Sequence, residues 1–418
     1  MLLLVTAGAF SQTALQRVDR VLTDEFPPDK SGAVILISKG DSILYRKAFG
    51  LSDVEKKIPL REDMIFQIAS MTKQFTGVAI LQLLEQKKIA GTDAIQKYIE
   101  YFPDKGYVIT IDHLLSQTSA IPEFFDLDES EYHLLAEEHT PKELIAYFKD
   151  KPLDSTPGTR FSYSNSNYVL LGAIIEKVSG LKYSEYMEQF VFQPNGMKNT
   201  SVWYKPVTPA DKIAHGNPAV PMVGSVVYSS GGIVSNVDDL FLWTRSTVQK
   251  LDISKTPGYR YGFNIKELHG STTIQHGGNL PGFTSSGIYL PEEEVFVCIL
   301  SNAAFRGTEE IADYVASEII GKPIEFTHRK VVHDLDAYTG VYRLKDNSTR
   351  TMKINRAANM LVLTFPDQPG NGVDIRPTGT DTFESKKVKA KLTFVRDSSG
   401  VVKQVDVQQG KVYTWLKE

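Results

Sequence analysis

The sequence predicts an α+β fold: a large domain that mixes helices and strands, followed by a small all-β domain built as an antiparallel sheet or barrel. Three observations carry this. The chain has 418 residues, enough for two or three domains at about 150 residues each. Helical and strand-like patterns are segregated along residues 12–325. After Ile324 the pattern changes to short alternating strands separated by turn residues.

Taken in order, the amino terminus Met1–Phe10 is apolar but too short to span a bilayer. Ala9-Phe10-Ser11 puts small residues at the −3 and −1 positions before Gln12, so residues 1–11 read as a signal peptide, although a basic flank is missing. That reading implies a periplasmic or secreted protein. A helix follows at about 12–25. Ala33 to Ile37 and Ile43 to Tyr45, around Lys39-Gly40-Asp41, predict a hairpin. Val78, Leu81 and Leu84 share one stripe, so an amphipathic helix with one wet face is expected from Ser70 to about Lys87. Asn165 to Val178 predicts another helix, ended by Ser179-Gly180. Strands are expected at 258–265, 271–276, 283–290 and 294–301, and a helix near 308–320. Residues 331–418 carry five strand-like runs, at 340–343, 352–354, 360–365, 391–394 and 412–415.

Composition excludes several functions. Hydrophobic residues at 42% and charged residues at 23% fit a soluble globular chain rather than a disordered or multi-span one. No second apolar run approaches membrane-spanning length. The net charge of −4 lacks the basic surplus of phosphate-backbone binders, so no nucleic-acid partner is expected. The single cysteine, Cys298, excludes an intrachain disulfide, CxxC chemistry, zinc fingers and iron–sulfur clusters. It lies in the run Val295 to Leu300 and reads as a buried strand residue.

Three motifs carry chemistry. Ser70-Met71-Thr72-Lys73 places a hydroxyl and an amine three apart on one helical face. A buried lysine loses proton affinity and can accept a serine proton. Alone, the motif fits equally an N-cap serine with a surface lysine. Ser179-Gly180-Leu181-Lys182 matches the same spacing, but Gly180 reads as a C-cap and the match as chance. Tyr163-Ser164-Asn165 offers a phenol that can relay protons and an amide that can orient an amine; the alternative is a plain helix cap. His276-Gly277-Gly278-Asn279 ends a strand, and its glycines let a substrate approach the backbone.

In this order the motifs resemble those of the serine β-lactamase and penicillin-binding-protein-like superfamily, over about residues 20–325. Ile111 to Ser119, Pro157-Gly158, Tyr168 to Gly172 and Ser230-Gly231-Gly232 look alike as well. The resemblance implies a β-lactamase/transpeptidase-like domain, with an antiparallel sheet flanked by helices. The trailing β domain is similar to barrels attached to some members. The resemblance also implies roles. Ser70 is the nucleophile and Lys73 its base. Tyr163 serves the leaving group and then water, and Asn165 orients Lys73. His276 stands where β-lactamases carry the lysine of K-T-G. Gly277, Gly278 and Asn279 line the substrate, and the N–H groups of Ser70 and Asn279 form an oxyanion hole. The reaction is acyl transfer onto Ser70 from a small-molecule or peptide substrate, with no metal and no cofactor. Histidine in place of the K-T-G lysine leans toward the esterase and D-amino-acid peptidase branch. A penicillin-recognising receptor, an idle binding protein and a true β-lactamase are the alternatives.

Gln117 and Ala120 depart from the histidine and glycine common in L-L-S-H-T-S-G. Glu123 to Glu129 reads as a lid over the cleft or a solvated acidic loop. His328 and His333 read as a polar linker, Trp243 and Tyr261 as core, and the carboxy-terminal barrel as filled by its own side chains.

Overall fold

Strand β1 (Ala33–Lys39) is apolar at nearly every position because both of its faces are covered. Val34 and Leu36 enter one core, whereas Ala33, Ile35 and Ile37 enter another. Each of the Val, Leu and Ile side chains removed from water contributes about 1.5–3 kcal/mol. Six more strands share the sheet: β2 (Ser42–Phe49), β3 (Gly258–Arg260), β4 (Phe263–Leu268), β5 (Ser271–Leu280), β6 (Phe283–Leu290) and β7 (Val295–Ser301). They are antiparallel in the order β2-β1-β7-β6-β5-β4-β3. In β7, Phe296, Cys298 and Leu300 face the first core, and Val295, Val297 and Ile299 face the second. Cys298 is therefore buried sheet, as its apolar run indicates.

In this computed structural model the described residues are 3–125, 136–203, 212–216, 224–253, 257–303, 307–326, 335–357, 360–365, 373–379, 381–385, 388 and 390–418. They divide between two compact units, residues 1–326 and 327–418. His328, His333 and Asp126 to Glu129 lie outside the described residues.

Helices cover both faces of the large sheet. Helix α1 (Leu3–Glu25) begins before the position expected from sequence and runs through the Ser11–Gln12 junction. With α6 (Thr308–Ile319) it covers the second core. On the other face lie α2 (Thr72–Glu85), α3 (Asn165–Ser179), α4 (Gly224–Gly231) and α5 (Val237–Ser246). The wet face expected for α2 does not exist over its first turns: every residue from Thr72 to Ile80 is buried. Its polar side chains are satisfied instead by tertiary partners. Thr72 accepts from the Ile233 N–H at 3.1 Å, Gln74 accepts from Trp243 at 3.2 Å, and Thr76 donates to the Ser229 carbonyl at 2.7 Å. Periodicity reads an amphipathic stripe whether its polar side meets water or protein. Trp243 stacks on Phe75 at 4.3 Å, within the core as expected. No helix among the described residues is long and apolar enough to cross a membrane.

Among its described residues the carboxy-terminal unit has eight strands: Gly340–Leu344, Asn347–Ala357, Met360–Thr364, Val373–Gly379, Thr382–Ser385, Ala390–Arg396, Val402–Gln409 and Lys411–Lys417. Each pairs antiparallel with the next, and the first pairs with the last, closing a barrel. The sequence patterns expose five of these strands. Val373–Gly379, Thr382–Ser385 and Val402–Gln409 lack a continuous apolar run. Tyr338, Phe383 and Phe394 pack at 4.7–5.1 Å between ring centres in the barrel core.

Candidate active site

Ser70 does not start α2; it sits in the 3₁₀ turn Ala69–Met71 immediately before it. Ala69 has φ 49°, a left-handed backbone that costs a residue with a Cβ about 1–2 kcal/mol. The turn is held from both sides. Ile68 N–H donates to the Ile233 carbonyl at 3.1 Å, and the Ser285 hydroxyl donates to the Ile68 carbonyl at 2.8 Å. A Cβ at Gly278 would lie 2.4 Å from that same carbonyl. The H-G-G glycines thus serve packing first. Gly278 admits the Ile68-Ala69 backbone, and the space beside Gly277 is filled by Glu309, 2.0 Å from where a Cβ would sit.

Lys73 is fully buried one turn beyond Ser70. Its Nζ is 3.0 Å from Ser70 Oγ, 2.6 Å from Asn165 Oδ1 and 2.8 Å from the Ser230 carbonyl. The surface-lysine alternative is thereby removed. Burial lowers the amine from 10.5 to about 7, with the nearby Glu123 carboxylate opposing the fall. The Ser230 carbonyl reaches Lys73 from α4, whose Tyr228 carries the strained pair φ 34° and ψ −131°.

Tyr163 closes the site beside α3. Lys73 Nζ lies 4.9 Å from its ring centre. Although the residue is 38% exposed at the cleft, desolvation of its phenol pushes the pKa well above the usual value; the neighbouring Tyr259 adds to the rise and Ser70 opposes it. The phenol is therefore neutral at pH 7. Its loop is pinned by Gln117. The Gln117 carbonyl accepts from the Ser162 N–H at 2.8 Å, and its side-chain oxygen accepts from the Ser164 N–H at 2.9 Å and Asn167 at 2.5 Å.

His276 is buried on β5, which extends past the expected end to Leu280. Its Nδ1 contacts the Gly277 carbonyl at 2.5 Å. A carbonyl only accepts, so Nδ1 carries the proton and the bare Nε2 accepts from the Tyr259 hydroxyl at 3.1 Å. Burial, with Lys73 adding, lowers this imidazole to about 3. It is neutral, and both nitrogens are engaged.

A cleft of about 530 Å³ is lined by Ser70, Tyr163, Asn165, His276, Gly277, Gly278 and Asn279. Lys73 lies beneath it. All eight residues singled out from sequence therefore converge on one site. Asn264, Thr284, Ser285 and the segment 307–310 complete the lining and carry no motif. Tyr261 packs against the first core, in keeping with its reading as a core residue, whereas Tyr259, which carries no sequence signal, reaches His276. The acidic stretch is not merely a solvated loop, because Glu123 binds Asn165. Ser179 of the second S-x-x-K donates to the Ile175 carbonyl at 2.6 Å, and Gly180 is the left-handed cap.

The Beta-lactamase family model matches residues 27–320. "Penicillin-binding protein 4*" of Bacillus subtilis is 28% identical over 365 residues, covering 75% of this chain and 80% of that protein. An octameric penicillin-binding protein homologue from Pyrococcus abyssi shares the fold with TM-score 0.67 and 24% identity, covering 96% of this chain and 99% of its own. D-amino acid amidase from Ochrobactrum anthropi, solved with D-phenylalanine, shares the fold with TM-score 0.64 and 20% identity, over 74% of this chain and 99% of its own.

Proposed function

This chain belongs to the Beta-lactamase family, and from that premise we propose that it is a serine hydrolase that cleaves an ester or amide bond through an acyl-enzyme on Ser70. The observation that carries the reading is the buried Lys73 amine, 3.0 Å from Ser70 Oγ and lowered to about 7. Such an amine is partly unprotonated at neutral pH and can take the Ser70 proton as Oγ attacks the acyl carbon. The N–H groups of Ser70 and Asn279 receive the oxyanion. Tyr163 gives its phenolic proton to the leaving alcohol or amine, and the Lys73 ammonium returns a proton to Tyr163. Water then attacks the acyl-enzyme ester. Its proton passes through the same pair to Ser70 Oγ, and the acid is released.

His276 supports an esterase or D-amino-acid amidase activity over a β-lactamase. A neutral imidazole with both nitrogens occupied supplies no cation for a substrate carboxylate. The apolar stretch Met1–Phe10 supports export from the cytoplasm.

The test is labelling of purified protein with a fluorophosphonate, with Ser70→Ala alongside. Labelling of the wild type alone supports the reading, and hydrolysis of an ester, D-amino-acid amide and β-lactam panel then ranks substrates. Equal labelling of both proteins overturns it. A long-lived β-lactam adduct without turnover would favour a receptor.

A further inference from the structure

Glu123 lies in the loop that sequence reading left as a lid or a solvated acidic stretch, and three N–H groups converge on its carboxylate. Oε2 accepts from the Asn165 backbone N–H at 2.7 Å and from Asn165 Nδ2 at 3.0 Å, and Oε1 accepts from the Phe125 N–H at 2.9 Å. The same loop is strapped to the start of α3 by hydroxyl donors: Ser164 at 3.3 Å and Ser166 at 2.7 Å both donate to the Pro122 carbonyl. Ser164 occupies the N-cap position of α3 but makes no side-chain cap bond; Glu123 satisfies the Asn165 N–H from 42 residues away.

A side-chain amide has an accepting and a donating end. With Nδ2 held by a carboxylate, Asn165 must turn Oδ1 away from it, toward Lys73 Nζ at 2.6 Å. The flipped amide would set oxygen against carboxylate and NH₂ against the lysine donors. We infer that Glu123 is a positioning residue of the acyl-transfer site, setting the orientation of Asn165 and, through its negative charge, the protonation of Lys73. This rests on the reading of Ser70 and Lys73 as nucleophile and base. The groups facing Lys73 are Glu123 from the loop, the rings of Tyr163 and Tyr168 at 4.9 and 5.6 Å, and His276 from β5. His276 is neutral, and both phenols ionise far above neutrality, so the carboxylate whose charge acts on Lys73 is that of Glu123.

Glu123 favours protonated Lys73, and only the neutral amine accepts the serine proton. Removing the charge lowers the lysine further and moves the acid limb of acylation to lower pH. The experiment is the rate of fluorophosphonate labelling against pH for wild type, Ser70→Ala and two isosteric pairs at position 123. Glu123→Gln is expected to move the acid limb down by about one pH unit relative to wild type, a tenfold rate difference on that limb. Glu123→Asn is expected to move it likewise relative to Glu123→Asp, and this pair decides if Glu123→Gln does not fold. A cap acting only on α3 predicts lower melting temperatures with unmoved limbs. That result, in folded variants, overturns the inference while Ser70-dependent labelling stands. Labelling that survives in Ser70→Ala overturns the underlying reading instead.

Discussion

Replacing Lys73 by methionine tests the proposed base through stability, independently of any substrate. The amine falls from 10.5 to about 7 in the folded chain. At about 1.4 kcal/mol per unit, burying it costs the fold about 4–5 kcal/mol at pH 7. A pKa lowered on folding means that the unfolded chain holds more protons between pH 7 and 10.5. The wild type therefore gains stability as pH rises through that window. At pH 9 the remaining cost is about 2 kcal/mol. Methionine is similar in volume and does not titrate. It leaves Asn165 Oδ1 and the Ser230 carbonyl without this donor, at about 1–3 kcal/mol each, so the two proteins are close in stability at pH 7. The slope is diagnostic. Relative to wild type, Lys73→Met should lose about 2–3 kcal/mol between pH 7 and pH 9. Urea unfolding at half-unit pH steps, followed by circular dichroism, measures this. A difference that stays constant over that range would mean that the Lys73 amine is unperturbed and unfit as the base.

Ala120 has φ 62°, where a Cβ is disfavoured by about 1–2 kcal/mol and glycine is not. Ala120→Gly should raise stability by about 0.5–1 kcal/mol after the entropy cost of glycine, with labelling unchanged; a lower denaturation midpoint contradicts this. Tyr259→Phe removes the donor to His276 Nε2 while keeping the ring. Losing a hydrogen bond of about 1 kcal/mol should slow Ser70 acylation about fivefold with a nearly unchanged melt, and an unaffected rate would place Tyr259 outside the machinery.

What was legible in the sequence is local. Ser70 and Lys73 meet because residues three apart in a helical turn share a face, a relation the order of residues contains. The end of α3 was legible because Gly180 is left-handed and caps its own helix. The hairpin of β1 and β2 was legible for the same kind of reason: Gly40, at φ 54°, turns between adjoining apolar runs. Even the barrel announces itself only where alternation is strong, as in Ala390–Arg396, whose buried and exposed residues alternate over the first six positions.

The illegible parts are those whose meaning comes from a distant partner. Glu123 looks like any acidic loop residue until a contact over 42 residues brings it to Asn165. Gln117 departs from the family pattern, yet its side-chain oxygen secures the Ser164 N–H and its carbonyl the Ser162 N–H, on either side of Tyr163. The glycines of H-G-G illustrate the difference most clearly. From sequence they admit substrate. In the fold, Gly278 admits the backbone that presents Ser70, and Gly277 admits Glu309. A residue with a Cβ at 278 would push β5 off the turn that carries Ser70 before any substrate arrived. The motif therefore constrains the geometry of Ser70 as strongly as the S-x-x-K spacing does, and the two motifs act as one unit across more than 200 residues of chain.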